Sequence, residues 1–449
     1  MSARRDPYLP ALCLIVIVAI GVRCFLLTAH ATEEDFYITL RYAQNIAHGL
    51  GFVYNPGAHV LGATTPLYTL ILALLFRLHL DPVFWAKLMG IAADGVTGIA
   101  IYRLGRAIGR PGAGLAAALC VALLPVNLIW ATKGMEVELV AATGAIAWAA
   151  WAEEREMLAW GAAAFLVLLR IDGAALAVFL LVGALLWEWR LPWRGLLLFL
   201  LLLLPWLMFA TLYFGSPVPA SVTAKLHVYA HSPTIRFPRL GEFLALMRHN
   251  VGWMLLLGCA LAAAAWIRTL LARRAEPARP TPSELRLVPP GLWIASYYAS
   301  MAFSPVFLFG WYFVPPTPLY YLIAMTGWSL FFRQACKYLF YREGSHPFRR
   351  VMDSPFGRAL NDPYGGPSDN RPAGGTFQQD ESPQGTSGPC CRSFNCPPLV
   401  SCGLVVAAAA LLTAVFVPRV LRDLRSGQAA EQALRIPIGL WLRANAHPT

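Results

Sequence analysis

Three consecutive carboxylates, Glu33, Glu34 and Asp35, open a segment that runs Thr32-Glu33-Glu34-Asp35-Phe36-Tyr37-Ile38-Thr39-Leu40-Arg41-Tyr42-Ala43-Gln44-Asn45 and has a helical pattern. At helical spacing Asp35, Thr39 and Tyr42 share one face, and Glu34, Ile38 and Arg41 share the next. Phe36, Leu40, Ala43 and Ala47 form an apolar face suited to lying on a bilayer or a bundle. Two accounts of the acids follow. In the structural one, Thr32 is the N-cap, Asp35 completes a capping-box-like pair, and acids in a first turn complement the helix dipole. In the chemical one, a carboxylate at a membrane surface acts as a general base, because partial desolvation and a neighbouring acid favour proton uptake. Both can hold at once.

Beyond this segment, His48-Gly49-Leu50-Gly51-Phe52-Val53-Tyr54-Asn55-Pro56-Gly57 and Gly62-Ala63-Thr64-Thr65-Pro66-Leu67-Tyr68 are dense in turn formers and aromatics. A lone Gly-x-Gly is a weak phosphate signal. Further along stand Gly134-Met135-Glu136, Leu169-Arg170-Ile171-Asp172-Gly173, the stretch 215–225 ending in Lys225, and Trp311-Tyr312-Phe313-Val314-Pro315-Pro316. Arg170 and Asp172 read either as a buried ion pair or as a functional intramembrane pair, and Trp311 and Tyr312 either as an interfacial aromatic belt or as part of a site. Cys13, Cys24, Cys120, Cys259 and Cys336 are scattered through or beside apolar segments, where a thiol behaves as a small hydrophobe. Cys390, Cys391 and Cys396 lack paired zinc-type spacing, so no metal site is assigned.

The elements that must position these residues are membrane helices. Hydrophobic residues make up 57% of the 449-residue chain and charged ones 13%, with a mean hydropathy of +0.55. A soluble core of this length could not hide so much apolar surface. Apolar runs at 11–28, 112–131, 193–214, 251–271 and 399–417 match a hydrocarbon core about 30 Å thick, and about ten to eleven such segments are expected in all. The first follows Arg4 and Arg5 like a signal peptide, but lacks a small-residue cleavage pattern and reads as a retained span.

The net charge of +12 comes from Lys and Arg clustered between the runs: Arg103, Arg106 and Arg110; Arg190 and Arg194; and Arg268, Arg273, Arg274, Arg279 and Arg286. This is the positive-inside pattern, which also places the amino terminus inside; a nucleic-acid surface would need a basic stripe with interleaved aromatics. The stretch 29–65 then lies outside, and 66–80, too short for a span, reads as a re-entrant or interfacial helix. Residues 1–340 form the transmembrane core. Residues 341–398, rich in Pro, Gly, Ser, Asn, Asp and Gln, are expected to be a disordered, cytoplasmic loop. Residues 399–449 supply a last transmembrane helix and a short outer tail, helical over 431–446.

In this order the motifs from Glu33 to about Leu330 resemble the GT-C superfamily of polyprenyl-phosphate-dependent integral membrane glycosyltransferases, in particular its bacterial arabinofuranosyltransferase-like and mannosyltransferase-like branch. The resemblance rests on the acid-acid-aromatic-Ile-Thr-x-Arg-Tyr-Ala helix, the Gly-x-Gly-x-x-x-Asn-x-Gly turn, the Thr-x-Pro-Leu start of the next helix and the downstream strings quoted above. It implies an all-α polytopic transmembrane bundle with an outer juxtamembrane helical loop, in a plasma (inner) membrane. It also implies a sugar carried on a polyprenyl phosphate, an acceptor hydroxyl on a cell-envelope glycan, lipid or protein, and inverting transfer on the extracytoplasmic side. Asp35 would be the base, with Glu34 next. Arg41, Lys225 and His227 are the outer cations available to phosphate, and Tyr42, Asn55, Thr65, Glu136, Arg170, Asp172 and Tyr312 would bind substrate. A divalent metal ion through Glu34 or Asp35 is an open alternative. A lipid-linked sugar transporter would show inverted repeats, and none is visible; a non-catalytic scaffold would use the acidic helix only as a cap. The segment 341–398 departs from the family pattern. So does the ending at Thr449, soon after Pro437-Ile438-Gly439-Leu440-Trp441, where relatives continue into further outer structure.

Overall fold

The computed structural model describes residues 6–29, 31–187, 189–230, 241, 244, 252–275, 282–303, 309–342 and 398–430. The expected segment 341–398 lies outside these residues except at its two helical ends, and the expected helix over 431–446 lies outside them entirely. Regular structure among the described residues is helical throughout. The helices are α1 (Leu9–Leu26), α2 (Glu34–Ala47), α3 (Pro66–Arg77), α4 (Pro82–Ala107), α5 (Pro111–Leu123), α6 (Pro125–Trp130), α7 (Val137–Ala152) and α8 (Glu156–Leu169). They continue as α9 (Ala174–Trp187), α10 (Trp193–Phe214), α11 (Ala220–Ala230), α12 (Trp253–Ala275), α13 (Val288–Ala302), α14 (Thr317–Arg342) and α15 (Pro398–Ala430). Prolines at the first turns of α3, α4, α5 and α6 start helices where a missing N–H costs nothing.

Four stretches among the described residues are long and apolar enough to cross a membrane: Leu9–Ala29, Pro82–Ala107, Trp193–Phe214 and Trp253–Arg274. Shorter apolar helices, Pro66–Arg77, Pro111–Leu123, Val137–Ala152, Glu156–Leu169 and Ile171–Trp187, complete a multi-pass bundle. Its centre is α4, packed against α5 and α7, with α8 behind α7 and α10 against α8. Small side chains on α7, including Ala141, Gly144, Ala145 and Ala149, let these helices approach closely. Along α10, Leu197, Leu200, Leu201, Leu204 and Leu212 point outward, which only a hydrocarbon solvent makes favourable.

The bundle has two chemically different ends. At one, Arg106 pairs with Asp6, Arg103 with Glu153, Arg110 with Glu284 and Arg286 with Glu154, so the first and third basic clusters of the sequence converge on one face. At the other lie α2, the loop after it and the starts of α3 and α7. Helix α3 has 12 residues, about 18 Å of rise, shorter than a hydrocarbon core of about 30 Å. Its start touches α2 through Thr65 and Thr39. The next helix begins on the same face, since Lys87 Nζ in α4 donates to the Ala31 carbonyl just before α2 at 2.6 Å.

A break inside the membrane region gives Arg23 its role. Pro125 separates α5 from α6, leaving carbonyls at the end of α5 without helical donors. The fully buried guanidinium of Arg23, from α1, donates to Ala122 O at 2.7 Å, Val121 O at 2.9 Å and Ala19 O at 3.1 Å. Asp94 of α4 contacts the same guanidinium and supplies the counter-charge.

Candidate active site

The acidic helix is held from outside itself. Glu33, not Thr32, is the N-cap residue of α2, in extended backbone geometry and with no side-chain capping bond. Its carboxylate instead pairs with Lys133 Nζ at 2.5 Å, and its backbone N–H donates to Lys133 O at 3.2 Å. The capping box expected from Thr32 and Asp35 therefore does not form, because a tertiary ion pair from 100 residues away fixes the helix start. Asp35 is left with no ion pair among the described residues and faces a cavity. The opposite side of α2 is anchored by buried Phe36 and Ala43.

The loop after α2 folds back along it. Tyr42 Oη donates to Val60 O at 2.8 Å and accepts from Gly62 N–H at 2.9 Å, while Asn45 Nδ2 donates to the carbonyls of Val53 and Tyr54, both at 2.8 Å. Gly49 and Gly51 take φ of 77° and 91°, which side-chain-bearing residues rarely adopt. These bonds set 62–65 alongside Asp35 and Thr39.

The cavity holds about 330 Å³. Asp35, Ile38 and Thr39 of α2 form one wall, and residues 62–65 a second. Met135 and Glu136, before α7, and Arg170 to Asp172, between α8 and α9, form a third, closed by Ser221 and Val222 of α11 with Trp311 and Tyr312. The 134–136 turn is pinned by Tyr68, whose hydroxyl donates to Gly134 O at 2.5 Å.

Arg170 organises the polar side of this space. Its Nε and Nη2 both donate to Asp172, each at 3.1 Å, in the forked arrangement that suits guanidinium, and Nη1 donates to Glu136 at 3.2 Å. The guanidinium also lies 5.6 Å from the centre of the Tyr312 ring. Burial pushes the Glu136 carboxyl above the ordinary carboxylate range, against the pull of Arg170. Asp172 keeps more than a third of its side chain exposed and is the wetter partner.

The aromatic wall is tied to the acidic helix through a relay of contacts. Trp311 stacks on Phe309 with ring centres 4.2 Å apart and meets Trp130 edge-on at 5.4 Å. Lys133 Nζ sits 4.4 Å over the Trp130 ring while holding Glu33. Residues far apart in the chain thus set one cavity.

Of the residues the sequence suggests, Asp35, Thr65, Glu136, Arg170, Asp172 and Tyr312 meet in this cavity. Others do not. Glu34 is exposed on the neighbouring face of α2, although Ile38 of that face reaches the cavity. Arg41 is exposed and donates to Gln44 at 3.2 Å; Tyr42 is a buried brace for the loop; Asn55 is exposed on that loop. His227 is exposed on α11, and Lys225 sits on that helix one turn beyond Ser221, its side chain outside the described residues. Thr39, Thr64, Ser221 and Trp311 join the cavity without being singled out for a role; each lies inside a motif already noted, and only tertiary contact reveals it. Among the described residues no group of three or more His, Cys, Asp and Glu is arranged to hold a metal ion.

No family model and no curated protein matches the sequence. Solved structures do. The apo Archaeoglobus fulgidus oligosaccharyltransferase is similar over 92% of this chain and 56% of its own, with a TM-score of 0.53 and 12% identity. ArnT from Cupriavidus metallidurans, crystallised bound to undecaprenyl phosphate, is similar over 71% of this chain and 60% of its own, with a TM-score of 0.49 and 16% identity. The chain thus spans under two thirds of the length of the structures it matches. At these identities the likeness is one of fold alone, an all-α polytopic membrane bundle shared with the archaeal oligosaccharyltransferase.

Proposed function

We propose that this multi-pass membrane chain, with its GT-C fold, is a glycosyltransferase that moves a sugar from a polyprenyl-phosphate donor to an acceptor hydroxyl, with Asp35 as the general base. One observation carries the reading. Asp35 neither caps its helix nor enters an ion pair among the described residues, yet opens on a cavity built from six separate parts of the chain. A carboxylate kept out of structural duty in such a place is available to take a proton.

The chemistry asks little more of the protein. As the acceptor oxygen attacks the anomeric carbon, its proton passes to the Asp35 carboxylate, and the bond to the lipid phosphate breaks on the opposite face of the sugar, giving inversion. Arg170 is the cation of the cavity wall among the described residues, but Asp172 and Glu136 already neutralise it, so its part is to fix the wall and orient sugar hydroxyls toward the two carboxylates. Lys225, one turn beyond the cavity residue Ser221, is the residue we assign to the leaving phosphate. The flat faces of Trp311 and Tyr312 suit the apolar side of a sugar ring. Asp35, Glu136 and Asp172 do not constitute a metal-holding set of three, and no step is routed through a metal.

The basic face lies at the opposite end of the bundle from the cavity, which under the positive-inside rule supports our reading of an extracytoplasmic site in a plasma (inner) membrane. The test is transfer of radiolabel by the purified protein in liposomes, using a panel of polyprenyl-phosphate sugars. Transfer from one donor, lost in Asp35→Asn, supports the proposal; no transfer from any donor while the protein remains folded argues against it.

A further inference from the structure

Two buried threonines of the cavity wall are kept out of the bonds that threonines usually make in helices. Inside a helix the hydroxyl ordinarily turns back to the carbonyl four residues earlier, and Thr69, Thr97, Thr143, Thr211, Thr269 and Thr326 do so at 2.7 to 2.9 Å. Thr39, inside α2, does not. Its hydroxyl meets that of Thr65 at 3.4 Å, and neither side chain has another hydrogen bond among the described residues. Thr65 is the N-cap residue of α3, where a hydroxyl normally accepts from the first backbone N–H groups of the helix, yet it makes no such bond. Its backbone is fixed all the same, since its carbonyl accepts from the Thr69 N–H and the Thr69 hydroxyl, both at 2.9 Å.

The pair has two O–H donors, and only one of them can donate to the other. The second has no acceptor among the described residues, although both threonines are buried, and a buried donor left unmet is unfavourable. Both residues line the cavity with Asp35. Thr39 lies one turn after Asp35 on the same face of α2, where side chains four apart stand about 5–6 Å from each other. That gap suits a single oxygen atom hydrogen-bonded on both sides. The two sides differ in kind, because the Asp35 carboxylate only accepts while the threonine donates. An alcohol oxygen satisfies both, whereas a phosphate oxygen with no proton to give would be repelled by the carboxylate. We propose that Thr39 and Thr65 form the subsite for the acceptor hydroxyl: Thr65 donates to Thr39, Thr39 donates to the acceptor oxygen, and that oxygen donates to Asp35. The inference rests on the glycosyltransferase reading and gives its acceptor a place. Of the four directions around the acceptor oxygen, one is its carbon, one the O–H aimed at Asp35, and one the lone pair that accepts from Thr39. The remaining lone pair is left to attack the anomeric carbon. As that bond forms, the proton passes to Asp35, and the electron pair of the breaking bond leaves with the lipid phosphate. Thr39 touches the substrate, and Thr65 is a positioning residue that acts through it.

The experiment is steady-state transfer by the purified full chain in liposomes, with radiolabelled polyprenyl-phosphate sugars as donors and octyl glycosides as acceptor probes. Valine has the shape of threonine without the O–H, and serine keeps the O–H. Thr39→Val should lower kcat/KM for the acceptor about 10-fold and Thr65→Val about 3-fold, the range of one neutral hydrogen bond, with the donor KM unchanged. Thr39→Ser and Thr65→Ser should restore the acceptor kcat/KM, and all four variants should melt near the wild-type temperature. An unchanged acceptor kcat/KM in Thr39→Val, a loss confined to the donor KM, or a Thr39→Ser as impaired as Thr39→Val would overturn the subsite while leaving the transferase reading in place, since transfer is still observed. If Thr39→Val does not fold, Thr65→Val decides: an unchanged acceptor kcat/KM overturns the subsite, and a loss restored by Thr65→Ser supports it. Absence of transfer by the folded wild type from every donor to every probe would remove both readings together.

Discussion

Removing Arg170 tests the polar wall of the cavity, and its cost can be worked out from the burial of its two partners. In Arg170→Met the long apolar stem is kept and the charge is lost, so Glu136, whose side chain is 7% exposed, is left as a buried anion without a counter-charge. Breaking a buried pair from one side costs about 3–5 kcal/mol. Asp172 is 38% exposed and contributes little, about 0.2–1 kcal/mol after solvent screening. We expect Arg170→Met to lose about 3 kcal/mol near neutral pH. The double variant Arg170→Met/Glu136→Gln should lose only about 1 kcal/mol, since no buried charge then remains. The sign with pH follows from Glu136, whose carboxyl is raised by burial from an ordinary value of 4.5. The native state then holds the proton over a window that opens near that value and extends upward, and the wild-type contribution of this group falls as pH rises through the raised value. Losing Arg170 raises it further, so the penalty in Arg170→Met should grow with pH and shrink in acid. Reversible unfolding in mixed detergent micelles, followed by circular dichroism across pH, measures all of this. A double variant less stable than Arg170→Met alone, or a penalty independent of pH, would refute the pairing.

Three further outcomes are expected. A cysteine at Ala58, on the exposed loop after α2, should react with an impermeant maleimide in intact cells, and one at Arg155, on the basic face, should not; the reverse pattern would invert the membrane orientation. Asp6, in front of α1, is buried enough to resist ionisation, but hydrogen bonds from Tyr102, the Tyr8 backbone and Arg106 outweigh this and hold its carboxyl below the ordinary value. Its contribution is present above the unfolded value and lost as pH falls through the folded one, so acid should destabilise the wild type more than Asp6→Asn, as read by melting in detergent. Deleting residues 346–397 should leave insertion and detergent stability intact, because that composition offers no core; loss of a folded protein on size-exclusion chromatography would contradict this.

The membrane architecture was legible because apolar run length and the placement of arginines are local properties. Helix α3 was legible for the same reason, as an apolar run shorter than its neighbours. The acid helix and the Arg170 to Asp172 turn were visible as charges in apolar surroundings. What sequence could not supply was tertiary pairing. Thr32 and Asp35 have the spacing of a capping box, and only the meeting of Glu33 with Lys133 shows that the helix start is held otherwise. Arg41 and Asn55 have the right chemistry for a site, but the fold turns them to solvent. Arg23 hides as a single charge in an apolar run, and its partners, Asp94 and the carbonyls released by Pro125, lie on other helices.

The central claim is that Asp35 takes the acceptor proton, and the direct measurement is single-turnover transfer by purified Asp35→Asn beside wild type and Glu34→Gln, with melting temperatures recorded on the same samples. Asn keeps the shape of the side chain, and Asp35 contributes no cap and no ion pair among the described residues, so stability should hardly change. The amide cannot accept the proton, and removal of a general base lowers rates by about 10²-fold to 10⁴-fold. The account predicts that loss for Asp35→Asn with a wild-type melting temperature, and a smaller loss for Glu34→Gln. Near wild-type transfer by a folded Asp35→Asn, or a dead Glu34→Gln beside an active Asp35→Asn, would contradict it.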